Sequence, residues 1–167
     1  MILKHVLLGL VVVLGAGCAS QPKQTLEAQV PPDFSRGDVE LAILLATGLV
    51  PPDAAEKQHW TDFEKACLRN AGRLQISGPD LQEEDHWIFE TSESQSIRTS
   101  YRDGVEKLVA KVEYDPKRVR ISMTESRNLG EKGDSIDPLA NEWLDDLRSK
   151  VIRGMGRVQL MKRNFEH

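Results

Sequence analysis

The chain has 167 residues, of which 22 are Lys or Arg and 26 are Asp or Glu, so its formal net charge is −4. This length suits a single domain, since domains commonly contain about 100–200 residues. The acidic balance argues against a nucleic-acid-binding protein, which would carry a basic stripe. The two cysteines are too few for a disulfide-rich scaffold or a zinc ribbon.

The N-terminal segment has the pattern of a signal peptide. Lys4 and His5 precede an uncharged apolar run, Val6–Ala16, and small residues end that run. The run is shorter than the about 20 apolar residues that a transmembrane helix requires, but it matches the apolar core of a secretory signal. We therefore expect residues 1–17 to direct export and to be removed.

The end of the apolar run, Leu14-Gly15-Ala16-Gly17-Cys18, resembles the lipobox of bacterial lipoproteins. The two residues before the cysteine match the family pattern, whereas Gly15 stands where leucine is usual. The resemblance implies that Cys18 is linked to diacylglycerol and becomes the new N-terminus. Ala19, in place of the aspartate that retains proteobacterial lipoproteins in the inner membrane, implies the outer membrane, facing the periplasm. The alternative is an ordinary signal peptide followed by Cys18 as a plain thiol.

A lipidated Cys18 would hold the protein on its membrane, because each buried methylene contributes about 0.8 kcal/mol and two or more chains anchor stably. Residues 18–35 contain three prolines and little periodicity, which favours a flexible linker. Fully extended, such a linker reaches roughly 55 Å. The alternative is that Val30 and Phe34 pack on the domain.

Two helices are predicted before the first strand. Residues 38–47 are apolar on nearly every side and precede a glycine and two prolines, which favours a short buried helix. Asp53 is a suitable N-cap for a second helix over about residues 54–70. Cys67 falls on the apolar stripe of this helix, so we expect it to be a small core residue and not a reactive thiol.

After residue 72 the apolar period changes to two. The alternation predicts strands at residues 74–76, 87–89, 96–102, 108–114 and 119–123. Asp115-Pro116-Lys117, between the last two strands, predicts the turn of a hairpin. One face of these strands is apolar and the other polar, as in an antiparallel sheet that is covered on one side.

A C-terminal helix is predicted over about residues 138–152. Asp137 is its expected N-cap, and the proline that follows suits the first helical position. Gly154 and Gly156 are expected to end it. Residues 157–167 are then either an added edge strand or a frayed end.

This order of elements predicts an α+β fold. We expect an antiparallel four- or five-stranded sheet, with two N-terminal helices and one C-terminal helix packed on one face. The predicted domain covers residues 36–156.

The segment Lys107–Val151 resembles a group of small uncharacterised proteobacterial lipoproteins. The resemblance rests on short motifs: Ala110-Lys111-Val112-Glu113-Tyr114-Asp115, Val119-Arg120-Ile121-Ser122, Glu125-Ser126-Arg127-Asn128-Leu129, Ile136, Asn141-Glu142-Trp143-Leu144 and Leu147. Asp137-Pro138 stands where that group usually has His-Pro. The group has no agreed activity, so the resemblance implies fold and location only.

No familiar catalytic motif occurs in the chain, such as Gly-x-Ser-x-Gly, His-Glu-x-x-His or a phosphate loop. Glu56-x-x-His59 has the helical spacing of a metal-binding pair, but di-metal helical sites use that pair twice, so we interpret it as a solvated helix face. The acidic stretch Asp80–His86 lacks the spacing and glycine of a calcium loop and is interpreted as a charged turn. We therefore expect no catalytic residue, no metal site and no cofactor.

Basic residues gather on the polar face of the last predicted hairpin. They are Lys111, Lys117, Arg118 and Arg120, with Arg98, Arg102 and Lys107 on neighbouring strands. If the strands align, this face is positive and suits an anionic partner such as peptidoglycan carboxylates, lipid headgroups or an acidic protein. The alternative is sheet-face charge that pairs with Glu106 and Glu113.

The sequence as a whole favours a non-enzymatic binding or envelope-assembly module, anchored to the outer membrane through Cys18 and facing the periplasm. Its expected partners are the membrane, through the lipid, and an envelope protein or peptidoglycan, but no nucleic acid. One alternative is a periplasmic enzyme that acts on cell-wall or lipid material through unrecognised carboxylates and His59 or His86. The other is a periplasmic inhibitor or immunity protein.

Overall fold

The computed structural model describes residues 20–47, 60–77 and 87–165. Its helices are α1 (Arg36–Ala46), α2 (Asp62–Ser77) and α3 (Pro138–Phe165). Its strands are β1 (Gln21–Pro22), β2 (Thr25–Gln29), β3 (Ile88–Glu93), β4 (Ser96–Asp103), β5 (Glu106–Tyr114), β6 (Arg118–Arg127) and β7 (Ser135–Ile136). Several sequence predictions lie outside the described residues: the signal peptide, Cys18, Asp53, Glu56, His59 and the stretch Asp80–His86.

Five strands form an antiparallel sheet in the order β2-β6-β5-β4-β3. Strands β3 to β6 follow one another as hairpins, and β2 joins the far edge beside β6, with Leu26 opposite Ile121 and Ala28 opposite Val119. Strands β1 and β7 form a separate antiparallel pair. The predicted α+β class and the antiparallel sheet of up to five strands are confirmed.

One face of the large sheet, the inner face, packs against α1 and α3, and α2 packs on α1. Alternate residues of its central strands are buried there: Leu108, Ala110, Val112 and Tyr114 of β5, and Val119 and Ile121 of β6. Helix α1 buries all of Val39–Leu44, and α3 adds a stripe at helical spacing: Ala140, Leu144, Leu147, Val151, Met155 and Val158. These side chains form one cluster, and each large one contributes about 1.5–3 kcal/mol by leaving water.

Three aromatic rings join the β3 side of the sheet to α3. The ring centroids of Trp87 and Tyr101 are 5.5 Å apart, and those of Tyr101 and Trp143 are 4.6 Å apart. The indole N–H of Trp87 also donates to Asp146 Oδ2 at 3.2 Å. Tilted pairs of this kind add about 0.5–1.5 kcal/mol beyond the area that they bury.

The structure differs from the predicted flexible linker. Within residues 18–35, β1 and β2 are paired strands, and Val30 and Phe34 are 8% and 5% exposed. The domain therefore begins near Gln21 and not at residue 36. The linker prediction failed because β2 is short and gains its backbone hydrogen bonds only from β6, which lies about 90 residues later in the chain.

The second predicted helix ends later in the structure than the sequence indicated, and residues 54–59 of the prediction lie outside the described ranges. Helix α2 runs from Asp62 to Ser77, so residues 74–76, predicted as a strand, are its last turns. A short apolar run fits both a helical and a strand period, and the sequence alone does not separate them. Cys67 is half-buried and packs against the core, with its Sγ 3.9 Å from Met161 Sδ.

The C-terminal helix is longer than predicted. Its start is confirmed, because Asp137 Oδ1 accepts from the Leu139 N–H at 2.9 Å. However, α3 continues through Gly154 and Gly156 to Phe165, so the tail is neither an edge strand nor a frayed end up to that residue. Each glycine costs a helix about 1 kcal/mol relative to alanine, and the burial of Met155 and Val158 offsets that cost.

Gly154 marks the place where α3 crosses α1. A Cβ atom at this position would meet the backbone of Ala42, with the Ala42 carbonyl carbon 3.2 Å away and its oxygen closer still. Only a glycine lets the two helix backbones approach so closely. At Gly156, two residues further on, the same added Cβ would meet nothing within 4 Å.

Candidate functional site

The outer face of the large sheet carries the residues that the sequence suggested for an anionic partner. The strand register places both basic and acidic side chains on this face. The basic ones are Arg98, Arg102, Lys107, Lys111, Arg118, Arg120 and Arg127, and the acidic ones are Glu27, Glu90, Glu93, Glu113 and Glu125. Basic side chains thus outnumber carboxylates on this face of an acidic protein.

Carboxylates accompany the predicted basic residues. Lys111 Nζ lies 2.8 Å from Glu113 Oε1, as the alternative of sheet-face pairing expected. Arg120 and Arg118 share one carboxylate, with distances to Glu27 Oε1 of 3.1 Å and 3.8 Å. These ion pairs are exposed and screened by solvent, so each contributes little to stability.

The hairpin turn between β5 and β6 supports these arginines. Asp115 Oδ1 accepts from the backbone N–H groups of Lys117 and Arg118 at 2.7 Å and 3.0 Å. These bonds, first that from Lys117, hold the pKa of the Asp115 carboxyl below its ordinary value. Asp115 Oδ2 also lies 3.6 Å from Arg118 Nε. The turn that the sequence predicted here is confirmed.

A shallow cleft of about 220 Å³ opens at this end of the hairpin, lined by Gln95, Glu113, Tyr114, Asp115, Arg118 and Arg120. The charged groups that line it are balanced, Arg118 and Arg120 against Glu113 and Asp115, while Lys111 pairs with Glu113 and both arginines approach Glu27. The structure therefore brings the four predicted residues to one end of the sheet. The exposed guanidinium groups of Arg118 and Arg120 have the planar donor geometry that suits a carboxylate.

A tighter ionic network occupies the middle of the outer face. Glu90 accepts from Arg98 at 2.9 Å and from Lys107 at 3.0 Å, and Arg98 also contacts Glu125 at 2.6 Å. Beneath this network lies Val109, which is only 1% exposed although it faces away from the helices. Burial acts to raise the pKa of Glu90, but hydrogen bonds from Lys107, Arg98 and Ser100 outweigh it, so the pKa lies below its ordinary value.

A second polar cluster, which the sequence reasoning missed, lies where three helix ends meet. Ser35 caps α1 in a reciprocal box with Asp38. Thr61 forms the same kind of box with Glu64 of α2, since its N–H donates to Glu64 Oε2 at 2.7 Å and its hydroxyl accepts from the Glu64 N–H at 3.3 Å. The Ser-x-x-Asp and Thr-x-x-Glu spacings are the sequence signal for such boxes.

Lys162, near the end of α3, completes this helix-end cluster. Its ammonium lies 2.7 Å from Asp38 Oδ2 and 5.7 Å above the Phe34 ring. Asp38 and Glu64 are each 2% exposed, so both are buried carboxylates held by hydrogen bonds. A cleft of about 210 Å³ lies beside them. Lys162 pairs with Asp38, whereas Glu64 is held by hydrogen bonds from Thr61 and Ser35, and these contacts join the helix ends.

Cys67 lies near the helix-end cluster, whose negative charges affect the pKa of its thiol. Burial, followed by the negative charges of Glu64 and Asp38, raises the pKa of the Cys67 thiol. A raised pKa lowers the fraction of nucleophilic thiolate at neutral pH. The structure thus gives a physical reason for treating this residue as unreactive.

Tyr114 is a buried phenol between the sheet and α1. It is 4% exposed, and Glu40 of α1 is 3% exposed. Burial, and then the negative charge of Glu40, raises the pKa of Tyr114 against the opposing effect of Arg36. The phenol therefore favours its protonated form more strongly than an exposed tyrosine does.

The chain that follows Cys18 is fixed to the domain by Asn141. Asn141 is 5% exposed; its Nδ2 donates to the Pro22 carbonyl at 3.1 Å, and its Oδ1 accepts from the Gln24 N–H at 3.3 Å. The ammonium of Lys23 pairs with Glu131, and the Lys23 N–H donates to the Asp134 carbonyl at 2.9 Å. We call residues 21–24 with these contacts the N-terminal latch.

Two further features bear on function. Within residues 20–47, 60–77 and 87–165, no group of three potential His, Cys, Asp or Glu ligands is arranged to hold a metal ion. In the same ranges, no helix is both long and apolar enough to cross a membrane.

Comparison with known proteins shows a partial likeness. The chain is 28% identical over 92 residues to an uncharacterised protein of Saccharomyces cerevisiae. The matched stretch covers 55% of this chain and 26% of the yeast protein, so the chain spans about a quarter of that protein's length. No family model and no solved structure matches the chain. The yeast protein's name states no activity and gives no support to an envelope location.

Proposed function

We propose that the protein is a bacterial lipoprotein, anchored to the outer membrane by lipid chains on Cys18. Its domain faces the periplasm and serves as a non-enzymatic binding or envelope-assembly module. The observation that carries the proposal is the sequence Leu14-Gly15-Ala16-Gly17-Cys18 directly after an uncharged apolar run. Two or more acyl chains on this cysteine are enough for stable attachment.

The start of the fold is compatible with such an anchor. The latch begins at Gln21, and Ser20 and Gln21 are both exposed. The chain therefore leaves the domain at its surface, where acyl chains on a nearby cysteine can enter a bilayer without disturbing the core. The core itself is built from residues that all lie after the latch.

The proposed contact surface for an anionic partner is the β5–β6 hairpin end, with Lys111, Lys117, Arg118 and Arg120. The support for it is an open cleft lined by the exposed guanidinium groups of Arg118 and Arg120. Peptidoglycan, which presents carboxylates throughout the periplasm, is the partner class we propose. The contact is then electrostatic and weakens as salt is added.

The anchor is tested by expressing the full chain in a Gram-negative bacterium with radiolabelled palmitate. The wild type should take up label and fractionate with outer membranes, whereas Cys18→Ser should remain unlabelled. Cys67→Ser is the matched control, because it removes the other cysteine and should keep the label. An unlabelled wild type, or a labelled Cys18→Ser variant, would contradict the proposal.

The contact surface is tested by sedimentation of the purified lipoprotein, in detergent, with isolated peptidoglycan. The double variant Arg118→Gln with Arg120→Gln should lose several-fold in the sedimented fraction at low salt. Arg163→Gln removes a comparable exposed charge from the end of α3 and should sediment as the wild type does. Equal sedimentation of the double variant and the wild type would reject this surface.

A further inference from the structure

The N-terminal latch fixes the place where a lipid-bearing chain leaves the domain. In the β1–β7 pair, Gln21 lies opposite Ile136 and Pro22 lies opposite Ser135, in antiparallel register. From Gln21 toward the N-terminus, the chain therefore runs in the direction of Asp137 and the first turn of α3. Cys18 is three residues before Gln21 and can lie at most about 11 Å from it.

Hydrogen bonds connect this exit point to one end of the large sheet. The Asp137 N–H donates to the Leu129 carbonyl at 3.0 Å, and the neighbouring Asn128 donates from Nδ2 to the Val105 carbonyl at 2.7 Å. The β4–β5 turn, the 128–137 corner and the chain exit thus form one end of the molecule, which we call the latch end. The helix-end cluster with Lys162 lies at the other end of α3.

The tip of the latch end carries an apolar side chain that the fold does not use. Val105 is 78% exposed, the largest value among the exposed large apolar residues of the described ranges. It follows Gly104, whose φ is +55°, in a two-residue hairpin turn. In such a turn the glycine is needed at the first position for its positive φ, but the second position is normally polar. A β-branched apolar residue there has no contact in the core to explain it.

We propose that the latch end is the membrane-facing surface of the protein, with Val105 in contact with the phospholipid headgroup layer. This inference rests on the proposed lipidation of Cys18. Acyl chains held within about 11 Å of Gln21 bring this end, and no other, against the bilayer. The latch, through Asn141 and Lys23, sets the orientation.

The proposal makes a prediction about depth. Helix α3 has 28 residues and is about 42 Å long at about 1.5 Å per residue. Its last turns therefore lie far from the headgroups when its first turn is near them. A reporter at Arg163 and a reporter at Val105 should differ strongly in their access to lipid.

The experiment uses the full chain, lipidated during expression in a Gram-negative bacterium, in a Cys67→Ser background. Val105→Cys or, as the matched control, Arg163→Cys is labelled with a fluorophore, and the protein is reconstituted into vesicles of phosphatidylethanolamine and phosphatidylglycerol. A fraction of the lipid carries a quencher on its headgroup. Quenching at position 105 should exceed that at position 163 several-fold. Adding Asn141→Ala, which frees the latch, should reduce this difference.

Mass measurement and flotation separate failure of this inference from failure of the anchor. Protein that is acylated and floats with vesicles, but is quenched equally at both positions or more at 163, overturns the orientation and leaves the lipoprotein proposal standing. Protein that is not acylated overturns both. Because both labels replace exposed side chains, thermal unfolding that matches the wild type shows that the fold is kept.

Discussion

The α1–α3 crossing gives a sharp test of how the core is held together. Gly154→Ala removes a glycine from a helix interior, which by itself stabilises a helix by about 1 kcal/mol. However, the added methyl group meets the Ala42 backbone, and a backbone cannot move aside as the end of a side chain can. Overpacking of this kind costs about 1–3 kcal/mol and forces the two helices apart.

Gly156→Ala is the matched control. It gains the same helix propensity on the same helix, and its methyl group meets nothing within 4 Å. We expect Gly156→Ala to raise the free energy of unfolding by about 0.5–1 kcal/mol. Gly154→Ala should lower it by up to about 2 kcal/mol once the propensity gain is subtracted, so that the two variants differ by about 1–3 kcal/mol. In thermal unfolding, each kcal/mol should shift Tm by roughly 3–5 °C for a domain of this size.

The assay is urea unfolding followed by far-ultraviolet circular dichroism, with the slope compared among the three proteins. A changed midpoint with an unchanged slope reports stability alone. If Gly154→Ala proved as stable as Gly156→Ala, the close crossing of α1 and α3 would be refuted. If both variants were less stable than the wild type, the cause would lie in α3 itself and not in its crossing with α1.

Three further outcomes follow from the charged groups. The pKa of Glu90 is lowered on folding, so the stability that its carboxylate contributes is present above the unfolded pKa of about 4.3 and is lost as pH falls through the folded pKa. In urea unfolding, Glu90→Gln should therefore cost about 1–2 kcal/mol at pH 7 and little in strong acid. Glu106→Gln, the control, should cost little at either pH. Lys162→Met leaves the buried Asp38 carboxylate without its cation and should cost about 1–3 kcal/mol, since Lys162 itself is partly exposed. A second substitution, Asp38→Asn, should restore part of this loss in a double-mutant cycle, and the absence of coupling would reject the pair. The pKa of Cys67 is raised, so its alkylation by iodoacetamide at pH 8 should be several-fold slower in the folded protein than in urea, and equal rates would contradict the buried environment.

The parts of the fold that the sequence predicted well depend on local signals. The β5–β6 hairpin combines clean alternation with an aspartate-proline turn, and both lie within a few residues of each other. Asp137 likewise caps α3 through a contact two residues away. Local chemistry of this kind is readable without knowing what packs against it.

The parts that the sequence missed depend on distant partners. Strand β2 forms because it pairs with the edge of β6, where Leu26 lies opposite Ile121 and Ala28 lies opposite Val119. Residues 25–29 alone do not show that such an edge is available. Gly154 signals a helix end locally, whereas its real role is set by Ala42 of another helix. In both cases tertiary packing overrides a weak local preference.

The same long-range effect changed the candidate site. Glu106 and Glu113 were the expected partners of the basic face, and the pair of Lys111 with Glu113 is present. The carboxylate between Arg118 and Arg120 is Glu27, which lies in the segment predicted as a linker. Because that segment forms strand β2, the Glu27 carboxylate lies on the outer face of the sheet and neutralises part of its positive charge.

The docking of residues 21–29 also changes what a lipid anchor would achieve. A free linker of roughly 55 Å would let the domain search a wide shell of periplasm for its partner. With lipid chains on Cys18, a chain fixed by the latch would leave about 11 Å of reach and, with α3 about 42 Å long, would confine the domain to a layer of roughly the domain's own length next to the bilayer. A partner would then have to enter that layer, which favours peptidoglycan strands or envelope proteins lying near the outer membrane over targets deeper in the periplasm.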